Sequence, residues 1–281
     1  MPTRILFLSA MLCAAAALFG GESELPGNTG QVPVQTPSPV KVTITSAPDP
    51  TIKPLMRRGA IGEYALVWAD EFNGEALDLT QWDYRNETKY WSTGKETNVS
   101  VSGGHMHIAL KKERQGKSDY TGGCVVSKRN FRYGYYEASI KLHAGKGWHT
   151  SFFLTAHKAD ITGARQQIDL CENDSIDPKL FNVYLHQWKP AHRIFDSKRV
   201  KTPDLTQDFH VWGCEFTPQK VRYYFDGDLV ATIDANEMLH DDQSFWFSCY
   251  AAPLAKTMHV EDEKLPGEIL VDWVRFYEKT K

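Results

Sequence analysis

Cysteine is scarce and never in metal-binding spacing: the 281 residues contain five, with no CxxC pair and no Cys/His cluster. Zinc sites built on such spacing are therefore not expected. An excess of charge is missing too. Thirty-two Lys and Arg stand against 35 Asp and Glu, a formal net charge of −3. No basic stripe is present to neutralise a phosphate backbone, and no polybasic segment to hold an anionic membrane surface. Nucleic-acid and membrane-surface binding are excluded on that ground. Long apolar runs are absent beyond Ile5 to Phe19, which is too short to cross a bilayer. Long helical periodicity is absent as well, apart from a turn around Asp234 to His240, and there is no internal repeat.

What is present divides the chain into three parts. Residues 1–21 read as a secretion signal: Arg4, the apolar run, then Gly20-Gly21. Cys13 lies behind Leu12, where a lipid-attachment motif needs a small residue, so lipidation is not expected. After signal cleavage no membrane segment remains, and a secreted, periplasmic or cell-surface location is expected. Residues 22–56 form a Pro-rich tether, with seven prolines from Pro26 to Pro54 and too little apolar content for a core. Residues 57–281 are the folded domain. It holds Cys124, Cys171, Cys214 and Cys249, an even number that permits disulfides. Their wide spacing, in a domain large enough to need no staples, favours buried free thiols.

The domain reads as short strands. Gly134 to Leu142 alternates apolar and polar residues. Val221 to Phe225 turns at Asp226-Gly227 into Leu229 to Ile233, a hairpin signal, and the chain closes on the strand Ile269 to Tyr277. Strands at regular spacing with turn signals between them indicate an all-β sandwich or barrel, with a jelly roll as its commonest large form. Eight Trp and twelve Tyr supply a core, and also flat faces suited to sugar rings.

Chemistry concentrates at Gln167-Ile168-Asp169-Leu170-Cys171-Glu172. A side-chain period of two puts Gln167 and Asp169 on one face of a strand. Glu172 would point the other way unless a β-bulge at Leu170-Cys171 restores it to that face. Three hydrogen-bonding side chains in a row would burden a core but suit the lining of a cleft.

This run resembles the Glu-x-Asp-x-x-Glu strand of glycoside hydrolase family 16, and the likeness spans roughly Trp68 to Tyr277. Leu66 to Gly74 with Leu77-Asp78 and Trp82 resembles the opening of that family. Thr97-Asn98-Val99, Gly103-Gly104, Ser127-Lys128 and Tyr133 to Glu137 are similar to its next strands. Phe209 to Trp212, Phe225-Asp226-Gly227 and Val271 to Tyr277 complete the set in order. The resemblance implies a β-jelly-roll sandwich of two curved antiparallel sheets with a concave glycan-binding cleft. It implies an endo-acting, retaining hydrolase of internal β-1,3 or β-1,4 bonds in a glucan or galactan. The bulged spacing is that of laminarin, agar, porphyran and carrageenan enzymes, not of lichenases. Glu172 would be the general acid/base, Asp169 its electrostatic support, and position 167 the nucleophile. Retaining pairs need carboxyls ~5 Å apart, which a regular extended strand does not provide, so retention rests on the resemblance alone.

Gln167 departs from that pattern. A neutral amide is too weak a nucleophile for an anomeric carbon and cannot stabilise an oxocarbenium ion as a carboxylate does. Three accounts stay open: a recent or imposed inactivation of a hydrolase, a lineage that kept the cleft as a non-catalytic β-glycan-binding protein, or a 2-acetamido substrate that attacks its own anomeric carbon.

The same resemblance nominates substrate contacts at Trp148, His186, Trp188, Asn98, Trp91 (with Tyr90) and Arg132. Each has a plainer role to set against it, as core aromatic, satisfied core histidine or surface cation. A basic stretch from Lys189 to Lys201 is a solvated loop or a rim for a sulfated glycan. Asp272 resembles an aspartate that holds a structural Ca²⁺ in many members, though one carboxylate does not define a site. No cofactor is required by this chemistry. The expected partner is a polysaccharide or oligosaccharide, and a monomer is expected.

Overall fold

The computed structural model describes residues 49, 51–56, 63–157, 165–238, 240–253 and 259–280. The expected signal segment and most of the expected Pro-rich tether lie outside the described residues. Among the described residues, numbered in chain order, seventeen strands form two sheets. One runs β15 (Asp228–Asp234), β14 (Lys220–Phe225), β13 (His210–Phe216), β8 (Gly134–Lys141), β17 (Gly267–Lys279), β6 (His105–Leu110) and β5 (Val99–Ser102), with β1 (Tyr64–Asp70) also on β17. The other runs β12 (Arg193–Lys201), β11 (Leu180–Gln187), β10 (Gln166–Asp174), β9 (Trp148–Thr155), β16 (Ser244–Ala251), β7 (Tyr120–Ser127), β4 (Ser92–Gly94) and β3 (Thr88–Lys89), with β2 (Trp82–Tyr84) also on β7. The architecture is the all-β, two-sheet jelly roll that the strand pattern indicates. The hairpin turn falls at Asp226-Gly227, both in left-handed conformation (φ 48° and 83°), as the tight connection of β14 to β15 requires.

Period two decides what each strand buries. On β9, Trp148, Phe152 and Leu154 enter the core. On β10, Ile168, Leu170 and Cys171 do so, and on β16, Phe245, Phe247 and Cys249. Burying each such large apolar side chain contributes about 1.5–3 kcal/mol, which fixes the register of the sheet. The alternate residues of the same strands form the sheet's outer face. All four cysteines of the domain are buried and free, in line with their wide spacing.

The outer face of the eight-stranded sheet carries its own cluster: Tyr64, Leu66, Tyr135, Tyr224 and Tyr277, with Ile52 and Met56 packed on it. The backbone of Leu55 is clamped there. Its N–H donates to Glu137 Oε2 (3.0 Å) and its carbonyl accepts from the Tyr135 hydroxyl (3.2 Å). The folded part therefore includes residues 51–56, which composition alone assigns to the tether. Their apolar side chains have a distant partner in the tyrosine face.

Candidate active site

The polar row lies on β10, and the bulge is where the spacing requires it. Against β11, Asp169 pairs with Tyr184 and the next pair is Glu172 with Asn182. Against β9, Asp169 pairs with Phe153 and Glu172 with Ser151. Leu170 and Cys171 both enter the core, and Gln167, Asp169 and Glu172 share the outer face.

The row is closely wired. Trp188 Nε1 donates to Gln167 Oε1 (3.0 Å), and Gln167 Nε2 donates to Asp169 Oδ1 (2.6 Å). An indole N–H only donates and a carboxylate only accepts, so these partners fix which way the Gln167 amide faces. The fully buried Asp169 presents its other oxygen 3.1 Å from His186 Nε2. Burial works against the charged form of His186, but the contact with Asp169 outweighs it and raises its pKa. His186 Nδ1 meets His192 Nε2 at 3.2 Å. Burial and the neighbouring His186 lower the pKa of His192. Tyr184, His186, Trp188 and His192 stack in succession, the tightest pair being Trp188 and His192 with ring centres 4.1 Å apart. His186 and Trp188 thus join the row on the face expected of them.

Glu172 keeps a quarter of its side-chain surface exposed. Its pKa is pushed up from 4.5 to about 7, first by burial and then by the charge of Asp169, while His149 and His186 pull the other way. A carboxyl that holds its proton near neutrality suits a general acid. His149 stands beside it. Its Nδ1 is 2.8 Å from Asp174 Oδ1, and its Nε2 is 2.9 Å from Ser151 Oγ and 3.8 Å from Glu172 Oε1. On the β16 side, Trp246 stacks on Phe153 (5.5 Å) under the Arg85 guanidinium (4.9 Å), and Lys89 lies over Tyr250. Tyr90 packs on this cluster.

Four nominated contacts are not brought to the row. Trp148 is fully buried on the core face of β9, edge to face with Tyr120. Period two sends its neighbour His149 to the outer face instead. Asn98 is buried in a one-turn 3₁₀ segment, where its amide N–H groups donate to Thr121 Oγ1 and the Gly122 carbonyl and brace the turn. Trp91 packs against the core's edge, and Arg132 donates from Nε to Asp242 (2.6 Å). His149, Asp174, His192 and Trp246 were missed. The alternation in Trp148-His149-Thr150-Ser151-Phe152-Phe153 carries the signal for His149, but large apolar residues fall on both parities there.

Asp272 has His105 Nε2 at 3.6 Å and the Ser139 hydroxyl at 3.5 Å. One carboxylate beside an imidazole is not the hard-oxygen cage Ca²⁺ takes, and among the described residues no three His, Cys, Asp or Glu side chains converge on a metal position. A Ca²⁺ held at Asp272 would have to draw its remaining ligands from backbone carbonyls and water.

Comparison with known proteins matches the chain to a family. The family description "Beta-porphyranase A-D, GH16 domain" fits residues 66–279. The chain belongs to glycoside hydrolase family 16. Among curated relatives, a β-glucanase of Rhodothermus marinus is 26% identical over 76% of this chain and 85% of its own length. Beta-porphyranase E of Zobellia galactanivorans is 26% identical over 75% and 85%. The chain spans about half the length of the Fibrobacter succinogenes and Acetivibrio thermocellus β-glucanases it also matches (48% and 46%). Among solved structures, a non-specific endo-β-1,3(4)-glucanase of family 16 superposes with TM-score 0.70 at 26% identity, covering 83% of this chain and all of that one. The laminarinase of Rhodothermus marinus superposes with TM-score 0.69 at 21% identity, covering 79% and 100%. Family 16 is an endo-glycosidase family, and polysaccharide is the substrate class it implies.

Proposed function

We propose that this chain is an exported family 16 protein that binds a β-1,3- or β-1,4-linked glucan or galactan in an endo-type cleft, and that Gln167 uncouples binding from turnover. The observation that carries this is the Gln167 amide itself. By the family resemblance it stands at the position of the attacking carboxylate, and it is held from both ends by Trp188 and Asp169. Its oxygen is engaged by an indole N–H and carries no charge, so it neither attacks C1 nor balances a developing oxocarbenium ion. The acid half is intact. Glu172, protonated up to about pH 7, can hand its proton to a glycosidic oxygen. Asp169, held by His186 and Gln167, supplies negative charge between the two ends of the row.

The relatives are named for β-glucan, porphyran and carrageenan, which supports a glucan or galactan and leaves the choice to the cleft rim. The test is a paired panel of laminarin, agar, porphyran, carrageenan and mucin-type glycans. Binding and reducing-sugar release are measured for this chain and for Gln167→Glu. Binding by both with release only by the variant supports the proposal. Binding by both with release by neither makes the chain a pure glycan-binding protein. Release by both removes Gln167 from the nucleophile role or assigns the attack to a 2-acetamido group on the substrate. Binding by neither refutes it.

A further inference from the structure

The row's acid has a partner that the sequence resemblance does not supply. We propose that His149 is a positioning residue for Glu172: locked by Asp174 and Ser151, it holds a cation beside the carboxylate and so stabilises the ionised form that must exist after the proton is given away. This deepens the reading of Glu172 as general acid and rests on it.

The geometry is specific. His149 and Glu172 come from adjacent strands, with Ser151 directly opposite Glu172 and His149 opposite Asp174. Both ring nitrogens are engaged, Nδ1 by Asp174 (2.8 Å) and Nε2 by Ser151 (2.9 Å), so the imidazole is held in one orientation. In that orientation Nε2 stands 3.8 Å from Glu172 Oε1. This is too long for a hydrogen bond and short enough for a strong charge interaction. The other groups facing the pair are Asp169 on β10, His186 and Tyr184 on β11, Tyr250 on β16 and Lys89 on β3. Burial opposes a charge on His149, but the hydrogen bond it donates to Asp174 and the nearby Glu172 outweigh it and raise its pKa. An acid that donates and later recovers a proton needs its anion stabilised in between, and a fixed imidazolium beside it meets that need.

The experiment follows Glu172 by ¹³C carboxyl NMR on the intact domain, without any glycan. In His149→Gln the Glu172 titration rises by about one pH unit, the low end for loss of a cation at this range. In His149→Lys, which restores a cation, it returns toward the parent value. An unchanged Glu172 titration in His149→Gln overturns the proposal, as does an equal rise in both variants. Should His149→Gln not fold, the parent chain decides: the ¹⁵N imidazole signals of His149 must move in step with Glu172, and their independence overturns the proposal. Glycan binding is untouched by these outcomes, so failure here is distinct from failure of the proposed function.

Discussion

Glu137 gives a stability prediction that can be worked from the structure. Its carboxylate is fully buried on the outer face of the eight-stranded sheet, beneath residues 51–56. Tyr277 donates to Oε1 (2.7 Å) and the Leu55 N–H to Oε2 (3.0 Å). Burial dominates these bonds and pushes the pKa from 4.5 up to about 7. The folded protein therefore keeps a proton over a range where the unfolded chain has lost it. The stabilisation is complete below about pH 4.5 and is lost as pH rises through about 7. A gap of about 2.5 pH units corresponds to about 3 kcal/mol, a sizeable part of a typical domain's stability. Glu172 has a raised pKa of the same sign, so the Glu137 share must be isolated with Glu137→Gln. That variant keeps the Tyr277 bond but offers Leu55 N–H no acceptor. It starts about 1 kcal/mol less stable at pH 4.5, declines less with pH, and overtakes the parent near pH ~5.5, since the parent loses about 1.4 kcal/mol per pH unit between the two pKa values. Urea unfolding at pH values from 4.5 to 8.5 reads both curves. If the two run parallel across that range, Glu137 is ionised in the native state at neutrality and the reasoning fails.

Other outcomes follow from the site. Gln167→Glu places a second carboxylate against Asp169 and adds negative charge near Glu172, so the Glu172 titration moves up relative to the parent; equal carboxyl titration curves would contradict this. Trp188→Ala removes both a stacking face and the donor that fixes Gln167, and glycan binding weakens about tenfold by calorimetry with little change in melting temperature. Trp148→Ala does the reverse: it opens a cavity in the core, costs about 3–5 kcal/mol in urea unfolding, and leaves affinity per folded molecule near that of the parent.

The row and its bulge were legible because two simple facts converge there. Polar residues at 167, 169 and 172 cannot share a face without one extra residue, and the two apolar residues between them have only the core to enter. His186 followed from the family resemblance, and Trp188 from period two relative to it. Trp148 was not legible, because β9 carries large apolar side chains on both parities and only the sheet-to-sheet packing selects one. Asn98 illustrates the same limit for polar groups: an amide whose N–H groups brace a turn and a ligand-binding one look alike until its partners are seen. The packing of residues 51–56 was hidden for a third reason. Ile52, Leu55 and Met56 sit among prolines, and their partners Tyr135, Glu137, Tyr224 and Tyr277 are about 80 residues or more away.

The central claim is that one amide separates this cleft from turnover. Its most direct test is the initial rate of reducing-end release by the parent chain and by Gln167→Glu on whichever polysaccharide both bind, under one set of conditions. The account predicts a rate for the variant roughly a thousandfold or more above that of the parent, with similar affinity. Equal rates in the two proteins would contradict it.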